Sequence, residues 1–156
     1  MPVKKRTIIR AVTFAALVCG AGAARVEAAG CSISSTSVVF GGYNVFTPAP
    51  VDTTGTLTYR CNGSAKSVLI TISAGQAGST ASRALAGTID QLQYNLYRDA
   101  ARSAVWGDGS GGAQALVVGD PPNNTDITTT IYGRIPAGQD VRAGSYSDHV
   151  TIVVNF

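Results

Sequence analysis

The C-terminal stretch His149-Val150-Thr151-Ile152-Val153-Val154-Asn155-Phe156 decides the fold class. Val150, Ile152, Val154 and Phe156 fall on one side of an extended chain, and His149, Thr151, Val153 and Asn155 on the other. Successive side chains of a strand point to opposite faces, so this alternation predicts a strand with one buried face. A helix would need apolar residues every three to four positions, and no segment of the chain carries that repeat convincingly.

The same period recurs upstream. Leu57, Tyr59 and Cys61 alternate with Thr56, Thr58 and Arg60; Val68, Ile70 and Ile72 share a face; Leu92, Tyr94 and Leu96 alternate with Gln93, Asn95 and Tyr97. Ile127 and Ile131 alternate with Thr128, Thr130 and Tyr132. With Ser32 to Phe40 added, six strands are predicted, and Ala81 to Ala86 is expected to form a helical turn at most. The connections Thr47 to Pro50, Gly107 to Gly112, Gly119 to Asn124 and Pro136 to Gly138 are rich in Gly, Pro, Asn and Asp, which turns favour for steric reasons. The expected fold is all-β, an immunoglobulin-like β-sandwich in one domain. Trp106, the only tryptophan, is read as a packing anchor.

The N-terminus reads differently. Lys4, Lys5, Arg6 and Arg10 precede a short apolar run, Ala11 to Ala24, and small residues follow. This is the pattern of a secretory signal peptide, and the run is too short to span a bilayer, which takes about 20 apolar residues. Cleavage fits after Ala23 or after Ala28; the second is preferred, giving a signal peptide over 1–28 and a domain over 29–156. Removing residues 1–28 leaves seven basic and eight acidic residues of the 12 and 9 in the whole chain, so a net charge of +3 becomes −1. The basic character belongs to the leader, and no clustered Lys and Arg remain to suit a nucleic-acid partner.

Two cysteines then remain, Cys31 and Cys61. In an exported domain they read as one disulfide, closing a loop of about 31 residues worth roughly 3–4 kcal/mol. Ala28-Ala29-Gly30-Cys31 also has some likeness to a lipoprotein signal, in which Cys31 would carry lipid. Ala28 stands where that signal usually has Leu, and lipidation would leave Cys61 unpaired.

Chemistry is sparse. Gly107-Asp108-Gly109-Ser110-Gly111-Gly112 differs from the serine-protease signature by an extra glycine, and His149, the only histidine, follows the serine. A triad needs nucleophile, base and orienter in fixed geometry, so a glycine-rich turn is the expected reading. Asp108, Asp120 and Asp126 are too scattered for a calcium loop, and too few His and Cys residues exist for zinc. No cofactor, metal site or catalytic residue is expected, and the chain is not read as an enzyme.

Four stretches together resemble the spore coat protein U domain, shared with the pilins of archaic chaperone–usher systems. They are Phe40 to Tyr43 followed by Gly55 to Cys61; Leu92 to Tyr97 leading to Val105 to Gly109; Tyr132 to Gln139; and Gly144 to Asp148 running into the strand ending at Phe156. The resemblance implies a sandwich lacking its final strand, with an apolar groove that a periplasmic chaperone fills first and a neighbouring subunit's N-terminal extension fills later. It implies export to the cell surface, pilus or coat, with an outer-membrane usher and other pilin or coat subunits as partners; no membrane span is expected, because the leader's apolar run is too short. Val150, Ile152, Val154 and Phe156 are the groove and strand-pairing candidates. Cleavage after Ala28 would leave only Ala29 and Gly30 before Cys31, too little for a donor strand, which suits a terminal subunit. The alternative is a tip adhesin or surface-binding module.

Overall fold

The computed structural model describes residues 30–63, 65–76 and 79–156; the expected leader and both cleavage sites lie outside them. Eight strands follow in order: β1 (Gly30–Ser35), β2 (Val51–Asn62), β3 (Ser67–Ile72), β4 (Arg83–Ala86), β5 (Gln91–Tyr97), β6 (Leu116–Gly119), β7 (Asp126–Ile135) and β8 (Ile152–Asn155). They build a five-stranded sheet in the order β1-β2-β7-β5-β4 and a three-stranded sheet in the order β6-β3-β8. Every named pair is antiparallel. The architecture is an all-β sandwich of immunoglobulin-like type.

The strand count differs from the sequence expectation at two places. Arg83–Ala86 is strand β4, where a helical turn was expected; its four residues pair with β5, from Arg83↔Tyr94 to Ala86↔Gln91. Alanine disfavours strands only weakly, and a ready partner edge overrides that preference. Strand β6 is four residues long with half its side chains exposed, too short to show its period in sequence. The first strand also ends sooner than expected, at Ser35, and residues 36–45 run on without regular pairing.

The alternating residues form the core. Leu57, Val68, Ile70 and Ile72 are fully buried, and Tyr59, Leu92, Tyr94, Leu96, Ile131 and Ile135 pack with them. The two sheets are therefore held face to face by their apolar sides, as in other β-sandwiches. Trp106 is buried among these residues, and its Nε1 donates to the Ile70 carbonyl at 3.1 Å. Cys31 and Cys61 stand directly opposite each other in the β1–β2 register and form a disulfide, 30 residues apart in sequence.

Among the described residues, Arg83 is the one charged side chain that is buried. Its guanidinium donates to the carbonyls of Ile72, Ser73 and Trp106 and to Asn95 Oδ1, at 3.2, 2.8, 2.8 and 2.6 Å. It thereby ties β4 to the end of β3 in the opposite sheet. Burial pushes its pKa down, and these acceptors offset the cost of desolvating the charge.

Candidate functional site

The candidate site is a groove of about 1240 Å³ between the two sheets. Its floor is the core itself, including Leu92, Leu96, Ile131 and Ile135 from the larger sheet and Ile72 from the smaller. One wall is the chain from Ile33 to Val45; the other is the run from Val141 to Val150, continued by Ile152. Small-molecule clefts span about 300–1,000 Å³, so this space is larger than a typical one.

The first wall is seated on glycine. A methyl group on Gly133 would lie 2.9 Å from Phe40 Cζ and from Val38 Cγ1, and one on Gly55 would lie 2.9 Å from Val38 Cγ2. The absence of a side chain at Gly55 on β2 and at Gly133 on β7 lets Val38 and Phe40 lie close over the sheet. Phe40 meets Tyr94 edge to face, with centroids 5.7 Å apart. Between Val38 and Phe40, Val39 points to solvent and is 69% exposed.

The second wall meets β8 at the edge of the smaller sheet. Among the described residues β8 pairs only with β3, from Ile72↔Ile152 to Leu69↔Asn155. The amide of Ser73 donates to the Thr151 carbonyl, so residues 151, 153 and 155 turn their backbone groups toward β3. By the alternation of an antiparallel ladder, Ile152 and Val154 turn theirs toward the open edge. Asp148 organises the chain just before the strand. It accepts from Gln76 N at 2.8 Å and from the Tyr94 hydroxyl at 2.7 Å, and a side chain at Gly75 would collide with it. Burial, together with the Asp148 carboxylate, pushes the Tyr94 phenol up.

The four residues singled out in the sequence do not share one fate. Val150 and Ile152 line the groove; Val154 is half-buried and packs on the core; Phe156 lies past the end of β8 and is 56% exposed. Sequence reasoning missed the opposite wall. The spacing of Val38 and Phe40 around exposed Val39 was the available signal, obscured because Val39 is itself apolar.

The residues weighed for chemistry stay apart. Ser110 donates to Asp108 Oδ1 at 2.6 Å within its own glycine-rich turn, where Gly109, Gly111 and Gly112 have positive φ. The serine hydroxyl and amide hold the Asp108 carboxyl below the usual range. Asp126 is engaged by Arg60 at 2.6 Å. His149 lines the groove and shares no hydrogen bond with Ser110 among the described residues. No group of three or more His, Cys, Asp or Glu among those residues is placed to hold a metal, and no helix there is long and apolar enough to cross a membrane.

Comparison with known proteins agrees with this architecture. The chain is 37% identical over 112 residues to Protein U of Myxococcus xanthus, covering 66% of this chain and 59% of that protein, so it spans little more than half of its relative's length. In structure it resembles a chain of the CsuC–CsuE chaperone–tip adhesion subunit pre-assembly complex from archaic chaperone-usher Csu pili of Acinetobacter baumannii. That match has a TM-score of 0.58 at 21% identity and covers 82% of this chain and 40% of the other, a likeness of fold. The Spore Coat Protein U domain description matches residues 20–153, and the chain belongs to that family.

Proposed function

We propose that this protein is a structural subunit of a secreted pilus or coat, and that its groove accepts a β-strand supplied by another chain. The observation that carries the reading is the conjunction of an apolar groove with a strand edge beside it that is unpaired among the described residues. An added strand would pair with the outward backbone groups of Ile152 and Val154 and bury alternate side chains over the core, giving affinity and specificity from separate sources. The structural relative comes from a chaperone–subunit complex, which supports a periplasmic chaperone as the first occupant and a neighbouring subunit as the second. On this reading the chain is exported, passes an outer-membrane usher and reaches the cell surface. A cut after Ala28 would make it accept a strand without supplying one, as a terminal subunit does.

The test is periplasmic expression with and without the chaperone of the same assembly system. The subunit alone is expected to be unstable or self-associating, and co-expression to give a soluble one-to-one complex. A highly stable monomer indifferent to the chaperone would overturn the reading. N-terminal sequencing of the exported protein separates the two cleavage sites.

One observation favours a surface-binding role as a second reading. Phe46 is 91% exposed and Ile89 71% exposed. Their loops lie at the same end of the sandwich, by the registers Val51↔Ile135 and Ala86↔Gln91. Loss of surface attachment in Phe46→Ser, with assembly intact, is the expected sign of that role.

A further inference from the structure

A second constellation lies on the outer face of the five-stranded sheet. Asp52 and Arg134 stand opposite each other on β2 and β7. Arg134 grips the carboxylate at two points, Nε to Oδ1 at 2.7 Å and Nη2 to Oδ2 at 2.8 Å. Arg102, from the loop after β5, reaches the same Oδ1 at 3.2 Å. Two guanidinium groups thus share one carboxylate, and the cluster keeps a surplus positive charge. Arg134 Nη1 and Arg102 Nη2 have no hydrogen-bond partner among the described residues.

Arg102 is held there at a cost. Its φ of 57° lies in the left-handed region that non-glycine residues rarely adopt. The loop fixes it: Arg102 N donates to the Asp99 carbonyl at 3.0 Å, and the Asp99 carboxylate accepts from Ala104 N at 2.7 Å. The result sets the guanidinium over Tyr132, with Cζ 5.8 Å from the ring centroid. Tyr132 is flanked in register by Thr54 on β2 and by Tyr97 on β5, which is half-buried. An ordinary surface ion pair requires neither a strained backbone nor two adjacent tyrosines.

We infer that this face binds an acidic polysaccharide, a polymer of uronate sugars. The sugar ring packs its C–H face on Tyr97, the carboxylate takes the free N–H groups of Arg102 and Arg134, and a ring hydroxyl meets Thr54. Charge complementarity selects this occupant. A neutral glycan would leave the surplus charge unanswered, and a nucleic acid would need a long basic stripe that the chain lacks. The Arg134 fork is filled by Asp52, so the two oxygens of the ligand carboxylate each take one charge-assisted N–H, from Arg134 Nη1 and Arg102 Nη2, stronger than a neutral bond and selective in geometry.

The probe is polygalacturonate, read by biolayer interferometry on the densely immobilised folded protein, with fully methyl-esterified polygalacturonate and dextran sulfate as comparators. The acid polymer is expected to bind, and the ester and the sulfate to bind about tenfold more weakly. Arg102→Gln and Tyr97→Ser should each weaken binding about tenfold, whereas Lys66→Gln, an exposed cation just before β3 of the other sheet, should leave it unchanged. Unfolding curves of each variant show which remain folded, and either folded variant suffices. No binding, equal binding of the ester or the sulfate, or full binding by a folded variant would overturn the proposal.

Discussion

Gly133 shows how much one missing side chain determines. It lies buried on β7 beneath Phe40 and Val38, and a Cβ there would meet both at 2.9 Å. Gly133→Ala is expected to destabilise the protein by about 1–3 kcal/mol through overpacking. Adding Phe40→Ala should make the double variant less destabilised than the sum of the two single changes, because one of the two clashes, that with the Phe40 ring, is removed. Urea unfolding of the four proteins measures the coupling. Asp52 gives a pH-dependent counterpart. The Arg134 hydrogen bonds hold its carboxyl below the usual range, against a smaller upward push from burial and with help from Arg102. A lowered folded-state pKa stabilises above the unfolded value, near 3.9, and that stabilisation fades as pH falls through the folded value. With about a third of the side chain exposed, the contribution is under about 1 kcal/mol. Asp52→Asn should therefore flatten the loss of stability below about pH 4 while lowering stability slightly at pH 7.

At the level of elements, β8 separates two roles along one strand. Val153 and Asn155 turn their backbone toward β3, whereas Ile152 and Val154 turn theirs toward the open edge. Proline removes an amide donor wherever it stands. Val153→Pro is therefore expected to break the β3–β8 ladder and cost about 3 kcal/mol or more, visible in an unfolding curve. Val154→Pro should cost the isolated subunit less and reduce its capture of an added strand, measured as chaperone complex recovered. Equal effects of the two prolines on stability would show that the edge assignment is wrong. The contrast with β1 is instructive. It is also an edge strand, yet its disulfide to β2 and its register from Gly30↔Asn62 to Ser35↔Leu57 secure it on its inner side.

At the scale of the whole molecule, the Cys31–Cys61 disulfide closes a loop spanning 30 residues between the first two strands. Replacing both Cys31 and Cys61 by Ser is expected to cost about 3 kcal/mol, read as a lower urea midpoint; unchanged stability would mean the tie constrains little of the unfolded chain. Local signals went far. Alternation located the core residues of β2, β3, β5 and β7, because period two is written into consecutive side chains whatever their partners. The count of cysteines and the export pattern paired Cys31 with Cys61 in the same way. Strands β4 and β6 were not legible, since unlike β8 they lie in no longer alternating run, and their pairing with β5 and β3 forms them. Burial of Arg83 was equally hidden: only folding gathers the carbonyls of Ile72, Ser73 and Trp106 around it. The groove divides along the same line. Its strand β8 was visible as a strand from sequence alone, through a local pattern. That β8 has an open edge among the described residues, and that Val38 and Phe40 settle on Gly55 and Gly133 to line the same groove, was decided by tertiary structure, because an edge is defined by which distant segments fail to pair with it.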